Sequence, residues 1–518
     1  TGAGPAARVA TADPARAVSL YTRSCDAQNP AGCALLSSMY KQGLGVPKDP
    51  GQALALAQRS CDSNFAWGCY DLGRFYEDGL GTAKDVPRAV QLYIKACDGD
   101  AATACGFAGD LYRLGGDGLA KDPARAAGYF ERACDGKYSD SCAKLGDMYR
   151  EGDGLAKDPA KADAQYQKGC DLGNAGACSA LAYAYTHGVG VPQDYARAAD
   201  LAKRACDGGY AQGCFNLGRL YEDGLGRPKD VARAAQLYDQ ACDKKYATAC
   251  GYAGDLYRMG SGLPKDPVRA AGYFNQACAD KYADSCAKLG DMYAAGKDIA
   301  KDDARANGLY QQACDGGHMV ACAVLGHNYM WGYGAAKNYS RAAELEKRAC
   351  DGGASNGCFN LALIYDDGLG VAKDHPRAAQ LYNMACAKQD ADACLNAGVL
   401  YEDGEGIGKN LSRAAGYYST ACDDGLAKGC TFLADMLSVG KGVTLDLARA
   451  NQIYQKGCDA GNAGSCTSLG LDYEDGKGVP RDLRRAATLY DQGCKGDDQV
   501  GCVSLGVLYE TGKGVPKN

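Results

Sequence analysis

Small and apolar side chains recur along this chain with helical spacing, in segments of about a dozen residues. In one type of segment a cysteine, such as Cys69, comes first. Leu72, Gly73 and Tyr76 follow it three, four and seven residues later, a spacing that places them on one face of an α-helix. Gly79, ten residues after the cysteine, suits the left-handed position that ends a helix. The pattern predicts a short helix that stops at this glycine.

The second type of segment begins after a short polar loop, at a residue that can cap a helix. In the copy that starts at Asp122, the aspartate is the predicted N-cap. The side chains of Ala126, Tyr129, Phe130 and Ala133 then form a stripe with the spacing of one buried helical face. The two segment types alternate, so the sequence predicts a series of antiparallel helical hairpins.

The cysteine-bearing helix is nearly invariant in its fourteen copies. The tenth position after the cysteine is always Gly, the fourth is always Gly, Ala or Ser, and the seventh is Tyr in all copies except one, which has Leu437. A glycine inside a helix costs up to ~1 kcal/mol relative to alanine. Its repeated use at the fourth position predicts that a neighbouring helix approaches closely there.

The 28 cysteines reveal the length of the repeat. They form fourteen C-x7-C pairs that recur every 36 residues, with one step of 37 between Cys97 and Cys134. A fixed period of this size is typical of a solenoid, and we predict an all-α solenoid of about fourteen αα-hairpins. Its predicted extent is a single continuous array over residues 13–518, with a half-hairpin at each end and a flexible or partner-held tail at 1–12. The pairs are Cys25 with Cys33, Cys61 with Cys69, Cys97 with Cys105, Cys134 with Cys142, Cys170 with Cys178, Cys206 with Cys214, Cys242 with Cys250, Cys278 with Cys286, Cys314 with Cys322, Cys350 with Cys358, Cys386 with Cys394, Cys422 with Cys430, Cys458 with Cys466, and Cys494 with Cys502.

A longer period of 144 or 145 residues lies on top of the short one. The segment CGFAGDLYR at 105–113 returns as CGYAGDLYR at 250–258, and SCAKLGDMY at 141–149 returns unchanged at 285–293. Duplication of a four-hairpin block explains this period. It also fits an array in which every fourth hairpin meets the same kind of neighbour, and both explanations can hold together.

The spacing of the cysteines favours disulfides over metal binding. Pairing within each C-x7-C uses every cysteine, whereas the alternative pairing of Cys33 with Cys61 leaves Cys25 and Cys502 without partners. Zinc sites usually bring two ligands within two to four residues, a spacing that is absent here. The four histidines follow no ligand spacing either; they are His187, His318, His327 and His375. We therefore predict fourteen local disulfides and no metal or other cofactor.

Composition and charge narrow the possible compartments and partners. So many paired cysteines are typical of proteins in oxidising compartments, which predicts a periplasmic, cell-surface or secreted protein. The first residues, TGAGPAARVATA, suggest a processed or trimmed start. The net charge of -6 and the absence of a basic run argue against a nucleic-acid partner. No apolar stretch approaches the ~20 residues of a membrane span.

The repeat as a whole resembles a known family. Its pattern, LG-x2-Y-x2-G-x-G-V-x-K-D followed by A-C-D, resembles the Sel1-like (Sel-one-like) repeat between Asp13 and Pro516. The C-x7-C pairs are similar to those of the Helicobacter cysteine-rich proteins. This resemblance implies a right-handed superhelix of αα-hairpins, similar to tetratricopeptide arrays, that acts as an interaction scaffold. It implies no shared catalytic residues.

Some cysteine-rich members of that family are associated with weak β-lactam binding or hydrolysis, which draws attention to a Ser-x-x-Lys motif. The motif occurs at Ser141 and Lys144 and again at Ser285 and Lys288, in equivalent places of the longer repeat. The companion S-D-N and K-T-G motifs of penicillin-recognising enzymes are missing. We therefore interpret both copies as chance matches within a repeat and predict that the chain is not an enzyme.

A few further residues depart from the repeat or carry charge. Trp67, in a turn, and Trp331, after a helix, could anchor a partner or pack on the next hairpin. The sequons at Asn338 and Asn410 suit helix capping, and glycosylation stays open. We interpret the acidic pairs near the ends of the cysteine-bearing helices as a solvated loop face rather than as calcium sites; they include Glu77 with Asp78, Glu222 with Asp223, and Glu402 with Asp403.

The two ends of the chain suggest a further role. It opens with a lone second helix and closes with a lone first helix, so that two copies could complete one hairpin and extend head to tail into a filament. The side chains predicted for this contact are Pro14, Val18, Leu20, Tyr21, Val503, Leu505, Leu508 and Tyr509. The sequence thus favours an exported, non-enzymatic scaffold for a protein partner. A filament subunit is the alternative, and a β-lactam-binding or hydrolysing protein is a minor one.

Overall fold

The computed structural model describes residues 13–515, and all regular structure in this range is helical apart from one isolated bridge between Gly116 and Leu119. The chain divides between Asp266 and Pro267 into two compact units. The first unit contains α1 (Pro14–Asp26), α2 (Pro30–Gln42), α3 (Pro50–Asp62), α4 (Ala66–Asp78), α5 (Val86–Asp98), α6 (Ala102–Leu114), α7 (Pro123–Asp135), α8 (Ser139–Glu151), α9 (Pro159–Asp171), α10 (Ala175–His187), α11 (Tyr195–Asp207), α12 (Ala211–Asp223), α13 (Val231–Asp243) and α14 (Ala247–Met259). The second contains α15 (Pro267–Ala279), α16 (Ala283–Ala295), α17 (Asp303–Asp315), α18 (Met319–Trp331), α19 (Tyr339–Asp351), α20 (Ser355–Asp367), α21 (His375–Cys386), α22 (Ala391–Asp403), α23 (Leu411–Asp423), α24 (Ala427–Val439), α25 (Leu447–Asp459), α26 (Ala463–Asp475), α27 (Leu483–Lys495) and α28 (Gln499–Thr511).

This series of helices confirms the predicted all-α array of hairpins. In both units an even-numbered helix carries the second cysteine of a pair, and it packs most closely on the odd-numbered helix that follows it. The prediction of one continuous solenoid over 13–518 stays a prediction. The predicted tail at 1–12 lies outside the described residues.

Local chemistry sets the ends of the helices. Odd-numbered helices start after an Asp or Asn whose side chain accepts a backbone N–H, as Asp49 does from Gln52 at 2.9 Å. Even-numbered helices typically end at a glycine with positive φ, such as Gly79 with φ 68°. The loop is closed by the backbone N–H of the capping residue, which for Asp49 donates to the Tyr40 carbonyl at 3.0 Å. These are the start and stop signals that the sequence predicted.

Each cysteine pair joins an odd-numbered helix to the next even-numbered helix. All fourteen pairs are disulfides within C-x7-C, with Cα–Cα distances of 4.3 to 4.8 Å, and none of the cysteines is free. These separations suit an ordinary bridge. The alternative pairing of Cys33 with Cys61 is therefore wrong.

The second cysteine of every pair holds the same place, the fourth residue of its even-numbered helix. These cysteines are Cys33, Cys69, Cys105, Cys142, Cys178, Cys214, Cys250, Cys286, Cys322, Cys358, Cys394, Cys430, Cys466 and Cys502. Their partners lie at the ends of the odd-numbered helices, as Cys61 does one residue before the last residue of α3. Each bridge therefore links the last turn of one helix to the first turn of the next.

Basic side chains tie successive odd-numbered helices together beside the disulfides. Arg204 of α11 donates to the Cys170 carbonyl at 2.8 Å and pairs with Asp171 at 3.4 Å. Arg348 of α19 repeats the arrangement, with 2.7 Å to the Cys314 carbonyl. The carbonyls at the ends of the preceding helices thus gain a charged donor, as helix C-termini favour.

A buried aromatic side chain separates successive even-numbered helices at most hairpins. Tyr93, the eighth residue of α5, lies against Gly73 of α4, where an added Cβ would come within 2.6 Å of its Cε1 atom. On its other side the ring is 5.5 Å from that of Phe107 in α6. Its hydroxyl donates to Glu77. We call the eighth residue of each odd-numbered helix the wedge, and its bulk explains why the fourth residue after the cysteine is small.

The wedge recurs through both units. In seven further hairpins it is a tyrosine whose hydroxyl donates to a carboxylate of the preceding even-numbered helix. These bonds join Tyr166 to Asp147, Tyr238 to Glu222, Tyr310 to Asp291, Tyr382 to Asp366, Tyr418 to Glu402, Tyr454 to Asp435 and Tyr490 to Glu474. A buried hydroxyl without such a partner would be costly. Glu77, Glu222 and Glu402 are therefore half-buried helix residues that accept a wedge hydroxyl, and their interpretation as a solvated loop face was wrong.

Three wedges are not aromatic, namely Ala57, Ala202 and Glu346, and all three are buried. The even-numbered helices on either side of them pack directly on each other: α2 on α4, α10 on α12, and α18 on α20. Glu346 accepts one hydrogen bond, from Asn360 at 3.0 Å, and its Oε2 atom has no hydrogen-bond partner among the described residues. Burial raises the pKa of Glu346 to about 9, so this side chain is a neutral acid at pH 7.

A glycine immediately before the second cysteine accompanies this direct packing. It stands in α4, α12 and α20, in α28, which packs on α26, and also in α2 and α24; the six residues are Gly32, Gly68, Gly213, Gly357, Gly429 and Gly501. A Cβ at Gly213 would lie 2.8 Å from the backbone nitrogen of Cys206 in α11, so glycine lets the first turn of α12 approach the end of α11 closely. The four of these glycines that stand in the second helix of a direct contact are Gly68, Gly213, Gly357 and Gly501, and they are 144 or 145 residues apart. The longer sequence period thus marks a closer helix contact at every fourth hairpin.

Candidate functional site

The Ser-x-x-Lys motifs do not form a nucleophilic site. Ser141 is fully buried, and Lys144 pairs with Asp110 at 2.6 Å rather than with the serine. In the second copy Ser285 is equally buried and Lys288 pairs with Asp284. A substrate cannot reach either hydroxyl. Within residues 13–515, no group of three or more His, Cys, Asp or Glu side chains is arranged to hold a metal ion.

The two tryptophans occupy different surroundings from those predicted. Trp67 lies in the first turn of α4, not in a turn between helices, and its ring meets Tyr70 edge-on at 5.7 Å. Trp331 is the last residue of α18 and remains 48% exposed. Packing accounts for Trp67, whereas Trp331 stays available to a partner.

A groove with aromatic walls runs along the even-numbered helices of the first unit. Two cavities of about 560 Å³ each flank the side chain of Tyr183, one reaching toward α8 and the other toward α14. We call them together the Tyr183 groove; its lining includes Arg150, Tyr166, Tyr183, His187, Tyr210, Gln212, Phe215, Asn216, Arg219 and Tyr246. Its walls come mainly from α10 and α12, which pack directly on each other at the hairpin whose wedge is Ala202.

The aromatic platform of the groove is held in place by contacts within α10. The rings of Tyr183 and His187 stack with their centroids 4.1 Å apart, and His187 Nδ1 lies 3.0 Å from the Tyr183 carbonyl oxygen. Tyr183 is still 48% exposed, and Tyr210 on the opposite wall is 41% exposed. Large exposed aromatic side chains in a concave site are typical anchors for a binding partner.

The polar groups of the groove divide into satisfied and unsatisfied ones. Arg219 donates to the Tyr252 hydroxyl at 2.9 Å and pairs with Asp223 at 3.4 Å. Arg150 pairs with Asp147 at 2.8 Å. The side-chain amides of Gln212 and Asn216, by contrast, are half-buried and form no hydrogen bond with any described residue. The groove therefore offers free amides but no free charge.

A second aromatic patch occupies the equivalent place in the other unit. Tyr183 and His187 correspond, 144 residues on, to His327 and Trp331. His327 lies 6.3 Å from Trp331 and 5.9 Å from Tyr333, measured between ring centroids. Burial lowers the pKa of His327, which favours the neutral ring. Tyr333 is 54% exposed. The aromatic pair thus recurs with the longer period.

The one departure from the repeated tyrosine opens a further cavity. Leu437 stands where the other even-numbered helices carry Tyr, and a cavity of about 880 Å³ lies beside it between α23 and the loop that precedes α25. Val439 and Leu445 nearby are strongly exposed. This surface has fewer aromatic groups than the Tyr183 groove, so it is the weaker candidate.

The residues predicted for self-association fall into two groups. Four of them are exposed, namely Pro14, Leu20, Val503 and Tyr509. Three are half-buried, namely Val18, Tyr21 and Leu505. Leu508 is 1% exposed because it packs against Ala486, Ala487 and Tyr490 in the core of the last hairpin. The prediction that Leu508 forms part of this surface was therefore wrong.

The groove itself was not predicted from the sequence. The signal lay in α10, where Tyr183 and His187 replace the polar residues found at these positions in most other copies. A replacement in one copy of a repeat is visible in the sequence. Its exposure and its distance to α12 depend on the non-aromatic wedge at Ala202, which only the packing of three helices reveals.

Repeated helical pairs with one disulfide at each junction define an α-solenoid, a class of repeat protein with extended binding surfaces. More particularly, the chain belongs to the Sel1 repeat family. The model of the Sel1 repeat matches it at 8–29, 30–65, 68–100, 101–138, 139–174, 175–210, 211–246, 247–282, 283–318, 320–353, 355–390, 391–426, 427–462, 463–498 and 500–518. The predicted family resemblance is thereby confirmed. Sel1 repeats form scaffolds that typically mediate protein–protein interaction and are generally non-enzymatic.

Several solved structures are similar to this chain. A protective antigen of uropathogenic Escherichia coli strains that displays an SLR fold is 24% identical, with a TM-score of 0.61 over 88% of this chain and 97% of its own. A Sel1 repeat protein from Oxalobacter formigenes is also 24% identical, with a TM-score of 0.53 over 60% of this chain and 90% of its own. Helicobacter pylori cysteine rich protein B is 29% identical over 25% of this chain and 93% of its own, with a TM-score of 0.22. No curated protein matches the chain.

Proposed function

We propose that this chain is an exported, non-enzymatic scaffold that binds a protein partner in the Tyr183 groove. The observation that carries the proposal is the exposed aromatic platform of Tyr183 and His187, which faces the unpartnered amides of Gln212 and Asn216. Aromatic anchors surrounded by polar groups concentrate binding energy in protein interfaces.

Export is supported by the number of disulfides. Fourteen disulfides persist only where thiols are not kept reduced, which favours the periplasm, the cell surface or the medium. None of the helices among residues 13–515 has the length and apolar character needed to cross a bilayer. The proposed compartment is therefore extracytoplasmic, and fractionation of the native cells, with reactive thiols counted before and after reduction, tests it.

The binding role is tested with a library of displayed peptides selected on the oxidised 518-residue chain. Selected peptides should lose at least ~10-fold in affinity for Tyr183→Ser, since a hot-spot truncation costs about 2 kcal/mol or more. Met384→Ser is the matched control, because Met384 is 47% exposed, belongs to α21 in the second unit and does not line the groove. Peptides that bind both variants alike, or no enrichment above background, would contradict the proposal.

Self-assembly is a second candidate function, favoured by complementary features of α28 and α1. Gly506 is the counterpart of Gly470, where an added Cβ would lie 2.7 Å from the wedge Tyr490; at Gly506 a Cβ would meet nothing within 4 Å. Tyr21 of α1 holds the wedge position, and Glu510 corresponds to the carboxylate that a wedge hydroxyl uses. A second copy could thus place Tyr21 against Gly506 and continue the array.

Sedimentation and electron microscopy of the 518-residue chain test this assembly. Gly506→Ala should leave the monomer folded, since its Cβ meets open space, yet should weaken the contact by crowding the incoming Tyr21 ring. Tyr21→Phe should weaken it less, by one hydrogen bond. Monodisperse single chains at high concentration would rule out the filament and leave the scaffold proposal untouched.

A further inference from the structure

We infer that the ligand of the Tyr183 groove is an uncharged, extended peptide segment whose backbone bonds to Gln212 and Asn216 and whose proline or aromatic side chain rests on Tyr183. The inference rests on the proposed function of the groove and adds the chemistry and conformation of the partner. It follows from the length of the groove, from the spacing of its free amides and from the pairing of its charges.

The length of the groove suits a chain rather than a compact small molecule. The two cavities share Tyr183 and Gln212 and together extend from α8 across α10 and α12 to Tyr246 at the start of α14. Pockets for small molecules typically hold ~300 to 1,000 Å³ in one body. Here the space of about 560 Å³ on each side of Tyr183 is divided by the ring, so an occupant must pass over the ring.

The spacing of the free amides matches an extended backbone. Gln212 and Asn216 are four residues apart on α12, which places their Cβ atoms about 5 to 6 Å apart on one face. Alternate residues of an extended peptide repeat at about 6.6 Å. Each side-chain amide offers both a donor and an acceptor, as each peptide unit does. The two side chains can therefore bond to alternate peptide units of one strand.

The paired charges select against charged ligands. Arg219 is engaged by Asp223 and by the Tyr252 hydroxyl, while Arg150 is engaged by Asp147. Asp147 also accepts the hydroxyl of the wedge Tyr166 at 2.8 Å, so freeing Arg150 would disturb the core. An acidic or basic side chain entering the groove finds no free counter-charge, because each of these partly exposed charges is already paired, so a charge adds little to its binding.

The platform selects for a flat, rigid side chain. Because His187 already covers Tyr183 within α10, the pair presents a preformed surface with little conformational freedom to lose on binding. Proline and aromatic rings stack on such surfaces, and proline also favours the extended conformation that the amides require. Tyr210 on the facing wall encloses the same space from the other side.

The inference is tested with three displayed libraries of segments about ten residues long, which cover about 33 Å when extended. The libraries are equal in proline and aromatic content and are neutral, acidic or basic. The neutral library should enrich most on the oxidised chain. Its best peptide should lose ~3- to 10-fold in affinity for Gln212→Ala and for Asn216→Ala, as expected for a lost neutral hydrogen bond, while Met384→Ser should bind it unchanged.

Backbone methylation of that peptide supplies a readout that side-chain contacts alone would not give. Moving one N-methyl group along the peptide should weaken binding at every second position, because an extended strand turns alternate N–H groups toward α12. Tight binding of the acidic or basic library through Tyr183 would overturn the inference and leave the scaffold function standing. The inference would also be overturned if the loss of affinity did not alternate as the N-methyl group moves along the peptide. Binding of maltohexaose but of no peptide would overturn both the inference and the proposed function.

Discussion

The fifth residue of an odd-numbered helix is polar in α9, α17 and α25, and its identity decides whether it can donate a hydrogen bond to a later loop. Asn307 donates through its amide to the Tyr333 carbonyl, 26 residues on, at 2.7 Å, and Asn451 donates to the Lys477 carbonyl at 2.8 Å. The equivalent residue in α9 is Asp163, which is 6% exposed and has an unpartnered Oδ2 atom beside Gly190. Only a protonated carboxyl can donate as the asparagines do.

Asp163 should therefore make the first unit sensitive to pH. Burial raises the pKa of Asp163 to about 6, although the nearby Arg150 opposes the shift. A carboxyl with a raised pKa contributes stability that is present below its ordinary pKa and lost as the pH rises through about 6. We expect Asp163→Asn to add about 1 to 2 kcal/mol to the free energy of unfolding near pH 8 and almost nothing near pH 4. Urea unfolding at the two pH values measures this.

The internal copies supply the control for Asp163. Asn307→Asp should introduce the same pH dependence into the second unit, with a loss of stability that is larger near pH 8 than near pH 4. Hydrogen exchange of the loop between α10 and α11 reports Asp163 directly, because Val189, the counterpart of Tyr333, lies in that loop. Equal stability of the parent and Asp163→Asn at both pH values would show that the carboxyl does not act in this way.

The small residue beneath each wedge should be irreplaceable, whereas other helical glycines should not. A Cβ at Gly146 would lie 2.6 Å from Tyr166 Cε1, so Gly146→Ala should cost about 1 to 3 kcal/mol through overpacking. A Cβ added at Gly128 in α7 would meet nothing within 4 Å. Gly128→Ala should therefore add ~0.5 to 1 kcal/mol to the free energy of unfolding. Thermal unfolding of the two variants checks the opposite signs. A similar loss in both would refute the role of the wedge.

At the scale of the elements, the helices and their staples could be predicted because each depends on residues near in sequence. Asp49 caps the helix that it precedes, Gly79 ends the helix that it follows, and each disulfide spans eight positions. The carboxylate role of Glu77 could not be predicted, since it depends on Tyr93 of the next helix. The direct packing of α10 on α12 involves two hairpins and could not be predicted from either helix alone.

Each disulfide should stabilise only the two helices that it joins. Replacing Cys170 and Cys178 with alanine opens a nine-residue loop, which should cost about 2.6 kcal/mol in the chain-entropy estimate. Because a solenoid has mainly nearest-neighbour contacts, amide protection should fall in α9 and α10 and stay unchanged in α2. Hydrogen exchange with mass spectrometry resolves the difference. A uniform loss of protection across the first unit would mean that the staple acts globally.

At the scale of the whole molecule, the family and the class of fold were evident from the repeat, but the proposed binding surface was not. The repeat describes what all hairpins share, whereas the Tyr183 groove arises where α10 differs from the other copies. Its walls depend on the direct packing of α10 on α12 and on Tyr210 before α12, which only the fold brings beside Tyr183. Function in such an array lies in the exceptions to its period.

Reduction of all the disulfides should change how the whole chain unfolds. With the disulfides reduced, each hairpin is held only by packing on its neighbours, so protection should disappear first in α1 and α28 and then progress inward within each unit. The oxidised chain should retain protection in those helices at the same temperature. Parallel hydrogen-exchange series with and without reductant test this expectation. Simultaneous loss in all helices of the reduced chain would exclude fraying from the ends.

The pairing of consecutive cysteines also bears on biogenesis. Each disulfide joins a cysteine to the next one in the sequence, only eight residues later. When such a chain is threaded N-terminus first into an oxidising compartment, each cysteine meets its native partner before any competitor has emerged. Oxidation in order of arrival then gives the native set of bridges without reshuffling, a step that otherwise takes seconds to hours. Maturation of this array should need an oxidant but no disulfide isomerase.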